Sequence, residues 1–99
     1  MSVFLVSFEI KYDSDYQRRY SSFTQQVQSG RYWADNTSFV VVETTETIDD
    51  FCTRIYVHSA FDGTKDRYMV LDANVKSGRI RGPVHNSSIF SLLPFVIKL

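Results

Sequence analysis

Ninety-nine residues are the length of one domain, and a chain this long buries a single core with little to spare. A hydrophobic share of 43%, with 15% aromatics, excludes a disordered chain, and eleven basic residues against eleven acidic ones exclude a global attraction to phosphate. The single cysteine, Cys52, excludes an internal disulfide; among apolar neighbours it reads as a small core residue. Near-zero net charge also leaves self-association unopposed.

Alternation over residues 3–10 predicts a strand. Phe4, Val6, Phe8 and Ile10 point to the core, while Val3, Leu5, Ser7 and Glu9 line a second face, partly open or covered by a partner. This segment has neither a basic leader nor a cleavage site and is too short to cross a bilayer, so no signal or membrane segment is expected and the expected location is cytoplasmic. Residues 14–29 read as a helix with Tyr16, Tyr20, Phe23 and Val27 on its apolar stripe. Ser14 with Gln17 forms a candidate capping box, and Gly30 stands where a glycine ends a helix.

Arg31-Tyr-Trp-Ala, the turn formers Asp35-Asn36 and the β-prone residues 37–43 read as a hairpin, its second strand central and buried on both faces. Residues 45–58 read as a second helix, capped by Thr44 or Thr45, with acidic residues in its first turns and Ile48, Phe51, Cys52 and Ile55 facing inward. A loop over 61–66 leads to a strand over 67–72. Residues 74–83, with two glycines and a proline, read as irregular. In the apolar end, 89–99, Pro94 stops a helix and Phe95-Val-Ile-Lys reads as a short edge strand.

The expected fold is α+β, with the ferredoxin-like order β-α-β-β-α-β. Two interleaved β-α-β units give one antiparallel sheet with both helices on one face. Residues 1–99 form the single domain, with 84–99 a C-terminal extension or edge strand.

Four stretches resemble the Cas2-like family, and within it the SinR-like branch of small stand-alone proteins: the opening strand Val3-Phe-Leu-Val-Ser-Phe-Glu-Ile; Trp33 with Asn36-Thr-Ser-Phe-Val-Val-Val; Thr44 with Ile48-Asp-Asp-Phe; and Asp66-Arg-Tyr-Met-Val-Leu. The resemblance covers residues 3–76 and implies a homodimeric, ferredoxin-like protein. That family contains metal-dependent nucleases, in which an aspartate ending the first strand holds a divalent metal, and structural members that bind nucleic acid or protein. Here Glu9 stands at the aspartate's position, and its extra methylene displaces the carboxylate.

Glu9 is the candidate catalytic residue and ligand for Mg²⁺, the one cofactor considered; its other reading is a polar strand-end residue paired with Lys or Arg. Asp13 and Asp15 either add oxygens to Glu9 or charge the start of the first helix. Lys76, Arg79 and Arg81, extended by Arg18, Arg19 and Arg31, are candidate contacts to nucleic acid or an acidic partner, or ordinary surface charge. Trp33, Leu5, Phe95 and Ile97 are candidate dimer contacts, because the apolar tail exceeds what one small core needs. His58 and His85 lack zinc-ligand spacing with each other and with Cys52.

The leading reading is a non-catalytic or weakly catalytic homodimeric binding protein of Cas2-like type, acting on nucleic acid or a protein partner, in bacterial defence or phage counter-defence. The alternatives are a Mg²⁺-dependent nuclease using Glu9 and a toxin–antitoxin component.

Overall fold

The computed structural model describes residues 1–99. The chain is an α+β protein with a six-stranded mixed sheet and three helices, in the order β1 (Ser2–Glu9), α1 (Tyr16–Val27), β2 (Arg31–Trp33), β3 (Phe39–Thr44), α2 (Ile48–Val57), β4 (Arg67–Asp72), β5 (Gly78–Arg81), α3 (Ile89–Leu92) and β6 (Val96–Lys98). No helix is long and apolar enough to cross a membrane.

The strand order is β2-β3-β1-β4-β5-β6. β1 runs antiparallel to β3 on one side and β4 on the other, pairing Leu5 with both Val41 and Leu71. The expected all-antiparallel sheet is corrected at its far end, where β6 runs parallel to β5.

Alternation in β1 turns Phe4, Val6 and Phe8 onto the side that carries α1 and α2. The Phe4 ring lies 5.0 Å from Phe51 of α2, and Phe8 lies 5.0 Å from Phe23 of α1, so both helices pack on one face. Phe23, Phe61 and Tyr68 meet at 5.1–5.7 Å and close the middle of the core. Each such ring removes ~150–250 Å² from water, which is why a few aromatics suffice for so short a chain.

The helix boundaries depart from expectation at their caps. Ser14 does not cap α1: Asp13 accepts the Asp15 N–H at 2.9 Å, and Asp15 precedes the first turn without a side-chain cap of its own. Thr47, not Thr44 or Thr45, caps α2, accepting the Asp50 N–H at 3.1 Å, while Thr44 is held by Glu46 in the preceding turn. Gly30 lies beyond the end of α1 and is tied to close approach instead, since a side chain there would strike the Glu43 carbonyl of β3.

Three strand expectations are also revised. The β2–β3 connection takes its left-handed residue at Ser38 (φ 59°), not at Asp35-Asn36. β3 is buried on one face only: Val40 and Val42 are enclosed, while Phe39, Val41 and Glu43 are half-buried. Residues 74–83 are not irregular throughout, for they contain β5. Gly78 there fits between the Leu71 and Val96 side chains, where an added Cβ would stand 2.8 and 2.9 Å from their methyl groups. The glycine that suggested a loop is what lets three strands pack flat.

Candidate functional site

Glu9 ends β1 on the face away from α1 and α2, opposite Arg67. Its Oε1 lies 3.7 Å from Arg67 Nη2, and Arg67 donates from Nη1 to the Pro83 carbonyl at 3.1 Å. Asp13 and Asp15 do not join Glu9. Asp13 takes Arg19 Nη1 at 2.9 Å and Lys65 Nζ at 3.0 Å, while Asp15 takes Arg18 Nη2 at 2.7 Å. Those hydrogen bonds, Arg19's first, hold the Asp13 carboxyl far below the usual range, and the bond from Arg18 lowers Asp15. No three His, Cys, Asp or Glu side chains converge as a metal group. One chain thus offers a Mg²⁺ ion the Glu9 carboxylate with a guanidinium beside it, where such an ion needs about six oxygens.

The six candidate cations do not form one patch. Arg79 and Arg81 lie on the helix side of β5: Arg79 Nε donates to Asp49 Oδ1 at 2.7 Å, and the Arg81 guanidinium stacks 4.1 Å from the Tyr56 ring centre while donating to the Tyr68 hydroxyl at 3.1 Å. Arg18 is engaged by Asp15, and Arg31 by Glu43 at 3.3 Å. Lys76 stands exposed in the turn between β4 and β5. Arg19 requires correction as a surface residue, because it is only 1% exposed. Its Nε meets Asp66 Oδ2 at 3.0 Å and its Nη2 meets the Lys11 carbonyl at 2.7 Å. Asp66 also accepts the backbone N–H groups of Lys11 and Asp62, at 3.0 and 2.9 Å. The pair therefore ties the end of β1, the start of α1 and the loop before β4 into one buried junction.

Sequence reading missed this junction. Its signal is an arginine one turn before Phe23, on the inward stripe of an otherwise apolar helix face. A charge there needs a buried counter-ion, and Asp66 is the one fully buried acid.

The sheet face opposite α1 and α2 carries an apolar row. Register aligns Trp33, Val41, Leu5, Leu71, Gly78 and Val96 across all six strands. Trp33 is 43% exposed, and Leu5, Val41 and Leu71 are half-buried. Of the four candidate dimer residues, Trp33 and Leu5 share this row. Ile97 pairs with Arg79 and so points to the helix side at the β6 edge, and Phe95 precedes β6 half-buried.

The segment after β5 crosses the β4 half of the same face. It leaves a cleft of about 460 Å³ between Ile89, His85 and the sheet, with Met69 and Ile80 in the floor. A second bay of about 610 Å³ continues past Glu9 and His85 toward Lys11 and Lys65. The spacing test for zinc ligands gave no reason to single out His85, and only the fold brings it beside Glu9.

Cys52 is buried in the core, where desolvation pushes its thiol up to about 11. Burial likewise raises the Tyr68 phenol, whose hydroxyl donates to the Cys52 carbonyl at 3.4 Å. Neither group has the lowered pKa that nucleophilic work requires.

No protein-family model matches the chain, and comparison with curated proteins and with solved structures gives no significant match.

Proposed function

We propose that the chain is a homodimeric binding protein of Cas2-like, SinR-like type, non-catalytic or weakly catalytic, built on a ferredoxin-like core. The β2-β3-β1-β4 order with two helices on one face supports that core, and β5, α3 and β6 are an addition to it. The observation that carries the reading is the apolar row Trp33–Val41–Leu5–Leu71 on the open half of the sheet.

The segment after β5 covers the β4 half of this face, so the surface open to a partner is the half over β2, β3 and β1, where Trp33, Val41 and Leu5 form an apolar strip. A second copy is the fitting occupant. A two-fold axis sets the same row against itself, the Arg31–Glu43 pair beside it is already neutralised, and the net charge of zero opposes no approach. Cytoplasmic action in bacterial defence or phage counter-defence is the setting we assign to this reading, and the dimer is what would present a surface to nucleic acid or to a further protein.

Light scattering after size exclusion tests it. The parent chain should run as a dimer at micromolar concentration, and Trp33→Lys or Val41→Lys should run as a folded monomer. A parent that stays monomeric at every concentration refutes the proposal. Mg²⁺-dependent cleavage of RNA or DNA that Glu9→Gln abolishes would replace it with the nuclease reading.

A further inference from the structure

We propose that the double bay beside Glu9 binds a nucleoside monophosphate, with its base in the inner bay and its phosphate in the outer one. This goes beyond the dimer reading and stands apart from it, because the bays lie at the Glu9 end of β1 and under the segment after β5, while Trp33, Val41 and Leu5 line neither bay.

The inner bay suits a flat heteroaromatic ring. Met69 and Ile80 form an apolar floor, and Val84 and Ile89 form an apolar wall. Asn86 offers its amide N–H groups, its oxygen being held by the Ser88 N–H at 3.0 Å, and Glu9 offers the carboxylate oxygen that Arg67 does not take. About 460 Å³ lies within the range of cavities that hold small ligands, ~300–1,000 Å³.

The outer bay is lined by two lysines, Lys11 and Lys65, with Glu9, while Arg67 lines the inner bay and pairs with Glu9 at 3.7 Å. Lys65 is shared with Asp13 at 3.0 Å, but Lys11 enters no ion pair: its backbone N–H donates to Asp66 and its carbonyl accepts from Arg19. The buried junction therefore clamps the backbone of Lys11, which lines the bay with a side chain that enters no ion pair. Thr64 adds a hydroxyl on the same wall. Tyr12, 85% exposed and 5.1 Å from the Tyr16 ring, presents an aromatic surface beside it. Glu9 and His85 line both bays, at the position a ribose would take between base and phosphate. The cation set differs from the six singled out in the sequence, whose five arginines are all engaged within the chain.

The test is titration of the full-length, isotope-labelled chain at low salt, followed by amide NMR shifts. The probes are the four ribonucleoside monophosphates, inorganic phosphate, adenosine and a short single-stranded RNA. At least one monophosphate should bind, with shifts centred on Glu9, His85 and Asn86. Lys11→Ala should weaken it by about tenfold, the loss of one charge-assisted contact. Ile89→Trp, which fills the inner bay, should abolish it while Lys11→Ala keeps the parent melting temperature. Stronger binding of RNA than of any monophosphate would make the ligand a nucleotide within a strand and support the same site. Inorganic phosphate binding as tightly as every nucleotide would overturn the base bay. Absence of binding, or binding that both variants leave unchanged, would overturn the proposal.

Discussion

Replacing Arg19 with methionine keeps much of the side chain's length and removes its charge from a site that is 1% exposed. The variant loses the contacts to Asp66 Oδ2 (3.0 Å), Asp13 Oδ1 (2.9 Å) and the Lys11 carbonyl (2.7 Å). Asp66, fully buried, keeps only the Lys11 and Asp62 N–H groups, and its charge is left uncompensated. Breaking a buried pair from one side costs ~3–5 kcal/mol, against ~5–15 kcal/mol of total stability for a domain of ordinary stability. For a chain of this size that corresponds to a fall in melting temperature of roughly 15–30 °C. Urea unfolding followed by circular dichroism measures it. The double variant Arg19→Met, Asp66→Asn removes both charges and should recover part of the loss, giving a coupling of at least ~1 kcal/mol in a double-mutant cycle. An Arg19→Met chain within ~1 kcal/mol of the parent, or strict additivity in the cycle, would refute the account of a buried junction in which each charge depends on the other.

Thr47→Ala should cost ~1 kcal/mol in urea unfolding, because Thr47 supplies the side-chain cap of α2, whereas Thr45→Ala should be close to neutral. Asp13, Asp15, Asp62 and Glu46 all sit below the usual carboxylate range in the folded chain, through bonds led by Arg19, Arg18, Thr64 and Arg54 in turn. With folded values depressed, the unfolded chain takes protons first. Stability should therefore hold above about pH 4 and fall progressively as pH drops below it, which urea midpoints across that range will read. Cys52 is enclosed and its thiol is raised to about 11, so a thiol-specific reagent at neutral pH should modify it only at the rate at which the chain opens, and promptly in denaturant.

Much of the fold was legible because local patterns and the core agreed. The Phe4–Val6–Phe8 alternation, the Phe23–Val27 stripe and the Phe51–Cys52–Ile55 stripe each predicted an element and the side it buries. What stayed hidden depends on contacts between distant segments. β5 is four residues long and begins with Gly78, so its strand character exists only because Leu71 and Val96 lie against that glycine. The shift of the α1 start follows from Asp13 and Asp15 serving Arg19, which no local cap rule contains. At the candidate site, composition cannot tell an arginine that will face water from one that will face Asp66, or place His85 next to Glu9 across most of the chain.

The appended β5–α3–β6 unit has a consequence for how copies of this chain can meet. By pairing with β4, it removes a six-residue strand from the rim of the sheet and leaves β2 and β6, of three residues each, as the two margins. Rims so brief offer a poor template for strand-by-strand growth, so open-ended fibrous assembly through the sheet margins is disfavoured.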